Sequence, residues 1–253
     1  MSGGEGTEEP AAPTTFTSME GDCYLLVADV LGFSKLMRNL NPISQAPRVQ
    51  QWVELATSTL SDHALDWYQI VSDSIFVGAE ESEDGLRSLV RFGRDLLQTG
   101  IQSSLPVRGA ISFGHVTWSD RIAFGEPVVD AYEFANNQEW IGISATNKGL
   151  PHAEALMRSA DVLVCYPTPL KEGPVRFHAV VSWTIPPTQQ LMTLMSAGGL
   201  ATDREQMQWP WAEKFQNTVL FNIYLHSLPV AAKPNVFHGG LLPIQAIASQ
   251  FDL

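Results

Sequence analysis

The amino-acid sequence predicts an α+β fold: a central, mostly antiparallel sheet flanked by helices in the ferredoxin-like order, with a C-terminal extension. Three observations predict it. Apolar strand-like runs alternate with amphipathic stretches in the order β-α-β-β-α-β-α-β. Two of the strands are joined by Ser72-Asp73-Ser74 alone, which reads as a hairpin. With 253 residues and 45% hydrophobic content, the chain can bury one large core.

Each element has its own signal. Residues 22–31 form an apolar run that ends at Gly32. Residues 44–62 read as a helix, with Val49, Trp52, Val53, Leu55, Ala56 and Leu60 at helical spacing. The hairpin arms are 65–72 and 74–79, and Asp and Ser suit its turn because their side chains bond local backbone. Residues 84–100 form an amphipathic helix that stops at Gly100. A strand is expected over 106–118, and a helix over 127–140 with Pro127 in its first turn. Short strands at 141–145, 161–166 and 175–183 complete the sheet. The main domain is thus bounded at 19–184. Residues 1–18, rich in Gly, Pro, Thr and Glu, read as a disordered arm. Residues 185–253 form an extension, with a Trp/Phe-rich helix at 209–227, that packs on the domain or on a second copy.

Composition excludes several classes. A net charge of -12 argues against sequence-independent nucleic-acid binding, which needs basic surface. No apolar run reaches the roughly 18 residues of a membrane span, and the N-terminus lacks the pattern of a signal peptide. Two cysteines, Cys23 and Cys165, make neither a disulfide framework nor a zinc site, and fit a reducing cytoplasm.

Two aspartates carry the chemistry. Asp29 ends Tyr24-Leu25-Leu26-Val27-Ala28, and Asp73 sits in the hairpin turn, 44 positions later. A carboxylate in an apolar strand is costly to bury without compensation, and a divalent cation is one compensator. In a β-α-β-β order both carboxylates can face one site. Beside Asp29, the turn Leu31-Gly32-Phe33-Ser34 offers backbone N–H groups to an anion. Arg108 is a second anion-binding candidate, since guanidinium bonds phosphate in a bidentate manner. Lys148 and Lys214 are lesser ones.

These segments resemble the class III nucleotidyl cyclases. Asp29-Val30-Leu31-Gly32-Phe33-Ser34 matches the strand-ending motif of that family. Asp73 matches its second metal aspartate, with Ser72 in place of a glycine. Arg108-Gly109-Ala110-Ile111-Ser112-Phe113-Gly114 and Phe124-Gly125-Glu126-Pro127-Val128 follow in order, so the match covers about residues 22–145. The resemblance implies a class III cyclase catalytic domain acting as a homodimer with the active sites at the interface. It implies two Mn²⁺ or Mg²⁺ per site on Asp29, Asp73 and the Val30 carbonyl, and a triphosphate held by Leu31, Gly32, Phe33, Ser34 and Arg108.

The departures concern the base. Where purine cyclases carry a base-reading Lys or Glu, this chain has Gln69 beside Tyr68. Ile122 stands at the adenine-reading position, and Val129 and Glu133 replace the transition-state Asn and Arg. Either the chain is a silent nucleotide-binding regulator, or its base pocket and clamp are rebuilt. The hairpin Tyr68-Gln69-Ile70-Val71-Ser72-Asp73-Ser74 and the segment Glu139-Trp140-Ile141-Gly142-Ile143 resemble the pyrimidine cyclases of bacterial Pycsar antiphage defence. That resemblance implies UTP, or alternatively CTP, as substrate, with Tyr68 and Gln69 as base contacts. The cyclic UMP or cyclic CMP would then be read by a separate effector.

Overall fold

The central strand β1 (Met19–Val30) is buried on both faces, which explains its unbroken apolar run. In the computed structural model, which describes residues 18–39, 41–65, 67–119, 122–158, 162–183 and 210–228, its side chains divide by alternation. Tyr24, Leu26, Ala28 and Val30 enter a large core with Trp52 and Leu55 of α2 (Pro42–Ser61) and Leu89, Phe92 and Leu96 of α3 (Glu83–Gln102). Cys23, Leu25 and Val27 enter a smaller core with Ala131, Phe134 and Ala135 of α4 (Glu126–Asn137). Asp29 belongs by parity to the α4 side.

Among the described residues the sheet has eight strands. The remaining seven are β2 (Trp67–Val71), β3 (Ser74–Glu80), β4 (Val107–Ser119), β5 (Ile122–Phe124), β6 (Gly142–Ala145), β7 (Leu163–Pro167) and β8 (Phe177–Val181). Their order is β2-β3-β1-β4-β6-β8-β7, with β5 paired to β4. The first four make the ferredoxin-like arrangement the sequence predicts, with antiparallel neighbours throughout. The β4–β6 pair alone is parallel among the described strands.

Several boundaries differ from expectation. A separate seven-residue helix, α1 (Phe33–Asn39), precedes α2, which starts at Pro42 and continues through Pro47. The helix expected to reach residue 140 stops at Asn137, because Gln138 turns to extended backbone (ψ 143°). Neither β5 nor α5 (Ala153–Arg158) was expected; at three and six residues they are too short to show a period. The C-terminal helix α6 (Pro210–Ser227) sets Phe221 against Trp140 and Tyr166, with ring centroids 4.9 and 4.8 Å apart. The arm expected over 1–18 lies outside the described residues apart from Ser18, as do residue 184 and, of the extension, 185–209 and 229–253.

Gly109 fixes the spacing of β4 beside the site. A Cβ there would lie 2.7 Å from the Val27 carbonyl oxygen and 3.0 Å from the Ala28 Cβ. Backbone would have to move, so Gly109→Ala is expected to destabilise the fold by about 1–3 kcal/mol. A lower urea midpoint at unchanged m-value would register that loss.

Candidate active site

Asp29 stands directly across from Arg108 in the antiparallel β1–β4 register. The two make a bidentate ion pair, Arg108 Nη2 to Asp29 Oδ2 at 2.7 Å and Nε to Oδ1 at 3.3 Å. The Arg108 side chain is 8% exposed and that of Asp29 15%, so the charges meet with little water between them. Arg108 also reaches the end of α4. Its Nη1 donates to the carbonyls of Asn136 (3.1 Å) and Gln138 (3.3 Å), and its Nη2 to Asn136 Oδ1 (2.9 Å). An arginine has five N–H donors, and these contacts occupy all five.

That arrangement bears on two expectations. The charge of Asp29 is compensated by Arg108, so burial of its carboxylate does not by itself call for a metal. Arg108, expected on a triphosphate, has no N–H left for one in this arrangement. It acts as a clamp between Asp29 and the carbonyl end of α4, where a cation is favoured.

Asp73 forms a two-residue turn with Ser72 between β2 and β3. Ser72 adopts φ 58°, the left-handed conformation that glycine usually supplies in such turns. The turn is tied to β1, since Val30 N–H donates to the Asp73 carbonyl at 3.1 Å. Residues 29–30 and 73 are therefore backbone neighbours at one end of the sheet. No group of three or more His, Cys, Asp and Glu side chains converges among the described residues. The donors at this end are oxygens only, two carboxylates and main-chain carbonyls, a set that suits Mg²⁺ or Mn²⁺ over softer metals. Each Asp29 oxygen keeps a lone pair beyond its bond to Arg108. The residues present thus fit a hard divalent cation.

The turn 31–34 is partly committed. Leu31 N–H donates to the Pro106 carbonyl at 2.8 Å and is closed to an anion. Gly32 (φ 78°) turns the chain into α1, whose first N–H groups have no preceding turn to bond. Gly32, Phe33 and Ser34 therefore remain as donors there.

Register separates the two base-binding candidates. Gln69 pairs with Phe76, which pairs with Val27, so Gln69 lies on the sheet face of Asp29. Tyr68 pairs with Val77 and so points to the opposite face; it is 46% exposed on the edge strand β2. The two further lysines are paired within the chain. Lys148 reaches Glu126 and Asp130 at 2.6 Å each, and Lys214 is buried against Glu139.

Sequence reasoning missed Asn136, Gln138 and Lys171. Gln138 is fully buried, its Nε2 donating to the Gly109 carbonyl (2.7 Å) and its Oε1 accepting from Trp140 Nε1 (2.6 Å). Lys171 Nζ sits 2.6 Å from the Asn136 carbonyl. Desolvation, then the charges of Arg108 and Lys214, push its ammonium below the usual lysine range, while Glu139 and Asp29 oppose the shift. The one sequence signal for this cluster is the polar run Asn136-Asn137-Gln138-Glu139 at the end of an amphipathic helix.

Breaking a buried pair from one side leaves an uncompensated charge. Arg108→Met is expected to cost about 3–5 kcal/mol, and Asp29→Leu/Arg108→Met less than the sum of the single changes. A double-mutant cycle in urea reads that coupling, and additive losses would mean that the pair does not interact.

No protein-family model matches the chain, and no curated protein matches it in sequence. Solved structures do match in shape. The guanylyl cyclase domain of the RhoGC fusion protein from the aquatic fungus Blastocladiella emersonii, as a monomeric double mutant, superposes with a TM-score of 0.52 at 12% identity, over 68% of this chain and 100% of that one. The catalytic core of a rhodopsin-guanylyl cyclase with converted specificity, in complex with ATPalphaS, gives 0.51 at 12% identity, over 66% and 98%. A bacterial light-regulated adenylyl cyclase gives 0.50 at 15% identity, over 76% and 60%. Architecture, strand order and these superpositions agree: the chain has the fold of the class III nucleotidyl cyclase catalytic domain.

Proposed function

We propose that this chain is a nucleotidyl cyclase that converts UTP to cyclic UMP and pyrophosphate. One observation carries the reading: within the cyclase fold, Asp29 and Asp73 come to the same end of the sheet, tied by the Val30–Asp73 backbone bond. In the reaction the ribose 3′ oxygen forms a bond to the α-phosphorus. The bond from that phosphorus to the bridging oxygen breaks, pyrophosphate leaves with the electron pair, and the 3′ proton passes to solvent. Two Mn²⁺ or Mg²⁺ ions, held by Asp29, Asp73 and the Val30 carbonyl, would neutralise the phosphates and acidify the 3′ hydroxyl.

The chain's own groups supply position and field, the main contributions in phosphoryl transfer. Arg108 fixes the rotamer of Asp29. The N–H groups of Gly32, Phe33 and Ser34 receive the triphosphate. Gln69, on the face of Asp29, reads the base; a primary amide both donates and accepts, so it suits the edge of uracil or of cytosine. Tyr68, on the opposite face of β2, leaves the base to Gln69.

The homodimer belongs to the same reading. Ile122 and Phe124 on β5 and Val129 and Tyr132 on α4 are 54%, 53%, 54% and 50% exposed, an apolar surface that a second copy would cover. The product would serve as a second messenger for a separate effector in antiphage defence, without nucleic acid or membrane as partner. Among the described residues no helix is long and apolar enough to cross a membrane. The silent nucleotide-binding regulator remains the second reading, favoured by the full commitment of the Arg108 donors within the chain.

Incubation of the chain with each of the four NTPs and Mn²⁺, with products identified by mass, tests the reading. Cyclic UMP is the expected main product. Cyclic CMP would move the assignment to CTP, cyclic AMP would overturn the pyrimidine reading, and tight binding without pyrophosphate would establish the silent regulator. Asp73→Ala is expected to abolish product while leaving the melting temperature within a few degrees, since the residue lies in a half-buried two-residue turn outside both cores. Gln69→Leu is expected to lower kcat/KM for UTP by about tenfold through a lost hydrogen bond, and Tyr68→Phe by much less.

A further inference from the structure

The polar contacts of the first half of α6 converge on the end of α4 and the stretch after it, while Phe221 and Tyr224 pack further along on Tyr166 of β7. Lys214 Nζ bonds Glu139 Oε1, with the two side chains 11% and 10% exposed. Asn217 Nδ2 donates to the Glu139 carbonyl at 2.8 Å, and Ile141 N–H donates to Thr218 Oγ1 at 2.9 Å. The same segment supplies Asn136 and Gln138, whose carbonyls hold Arg108. Four links therefore join α6 to the site: Lys214 to Glu139, Glu139 through the backbone to Gln138 and Asn136, these to Arg108, and Arg108 to Asp29.

The energetics of buried pairs make this route more than a scaffold. An ion pair in the interior adds little net stability over apolar packing, but removing one partner leaves a buried charge that must find another. Glu139 without Lys214 would be a carboxylate one residue from the carbonyl that Arg108 already grips. It would compete with Asp29 for that guanidinium. Lys171 stands in the same cluster, its Nζ on the Asn136 carbonyl that Arg108 also bonds.

We propose that Lys214 is a positioning residue: by neutralising Glu139 it keeps Arg108 committed to Asp29, so the C-terminal helix sets the orientation of the site carboxylate. The role rests on the reading of Asp29 as a catalytic group. It gives the extension a place in the cyclase reaction that packing alone would not.

The test uses the full chain in three forms, wild type, Lys214→Met and Lys214→Met/Glu139→Gln, with two readouts. Hydrogen–deuterium exchange over 106–110 reports the Arg108 strand end, and steady-state kinetics separate kcat from KM. Lys214→Met is expected to speed exchange at 106–110 and to lower kcat by about tenfold with KM within twofold, the signature of lost transition-state positioning. Glu139→Gln added to it is expected to return both towards wild type, although the ion pair is still absent. A helix that only packs would confine the faster exchange to α6 and residues 139–141 and leave 106–110 and kcat as in the wild type. A double variant as impaired as the single one, or a folded Lys214→Met chain with wild-type exchange and kcat, overturns the proposal. If Lys214→Met does not fold, a folded double variant with wild-type exchange supports it and an unfolded one overturns it. If the wild type turns over no NTP, the cyclase reading fails, and exchange with its rescue by Glu139→Gln still decides the positioning claim.

Discussion

The site depends on a guanidinium placed between two sources of negative charge. Arg108 faces Asp29 on one side and the carbonyl end of α4 on the other, and its five donors are divided between them. Neither neighbour tolerates the other without it, since a carboxylate and a helix C-terminus repel. The desolvation of all three is offset only because every N–H finds an oxygen. The geometry of the carboxylate is therefore a property of β1, β4 and α4 together.

This interlock explains why the surrounding backbone is so constrained. Gly109, next to Arg108, lets β4 approach the Val27 carbonyl and the Ala28 side chain. Gln138 spends its amide on the Gly109 carbonyl and on Trp140, which fixes the exit of α4 where Arg108 needs acceptors. Trp140 in turn packs on Phe221, so the aromatic cluster beneath α6 and the polar cluster at the site share one segment of chain.

What was legible in the sequence was local. The strand run to Asp29, the turn at Gly32 and the hairpin at Ser72-Asp73 each carry their signal within a few residues, and the pairing of the first strand with the hairpin followed from their succession. The partners of Arg108 were not legible. They lie 28 and 30 positions away, on a helix end whose position depends on Gln138 leaving the helical conformation, against the apparent continuation of α4 to residue 140. The same limit hid the pairing of Lys214 with Glu139, 75 positions apart. It also hid which of Tyr68 and Gln69 shares the face of Asp29, because alternation predicts opposite faces and only the register chooses between them.

The parallel joint between β4 and β6 has a consequence of its own. Parallel strands begin at the same edge of a sheet, so the crossover between them must travel back the full length of the strand. Here α4 makes that return, and its last turn necessarily lands beside the first residues of β4. The antiparallel β1 ends at that same edge. Topology alone thus delivers a helix C-terminus to the spot where Asp29 emerges, and any chain threaded this way inherits an electrostatic conflict there. An arginine at the first turn-in of β4 resolves it before any ligand arrives, so the wiring of the sheet, as much as the chemistry of the site, fixes what residue 108 can be.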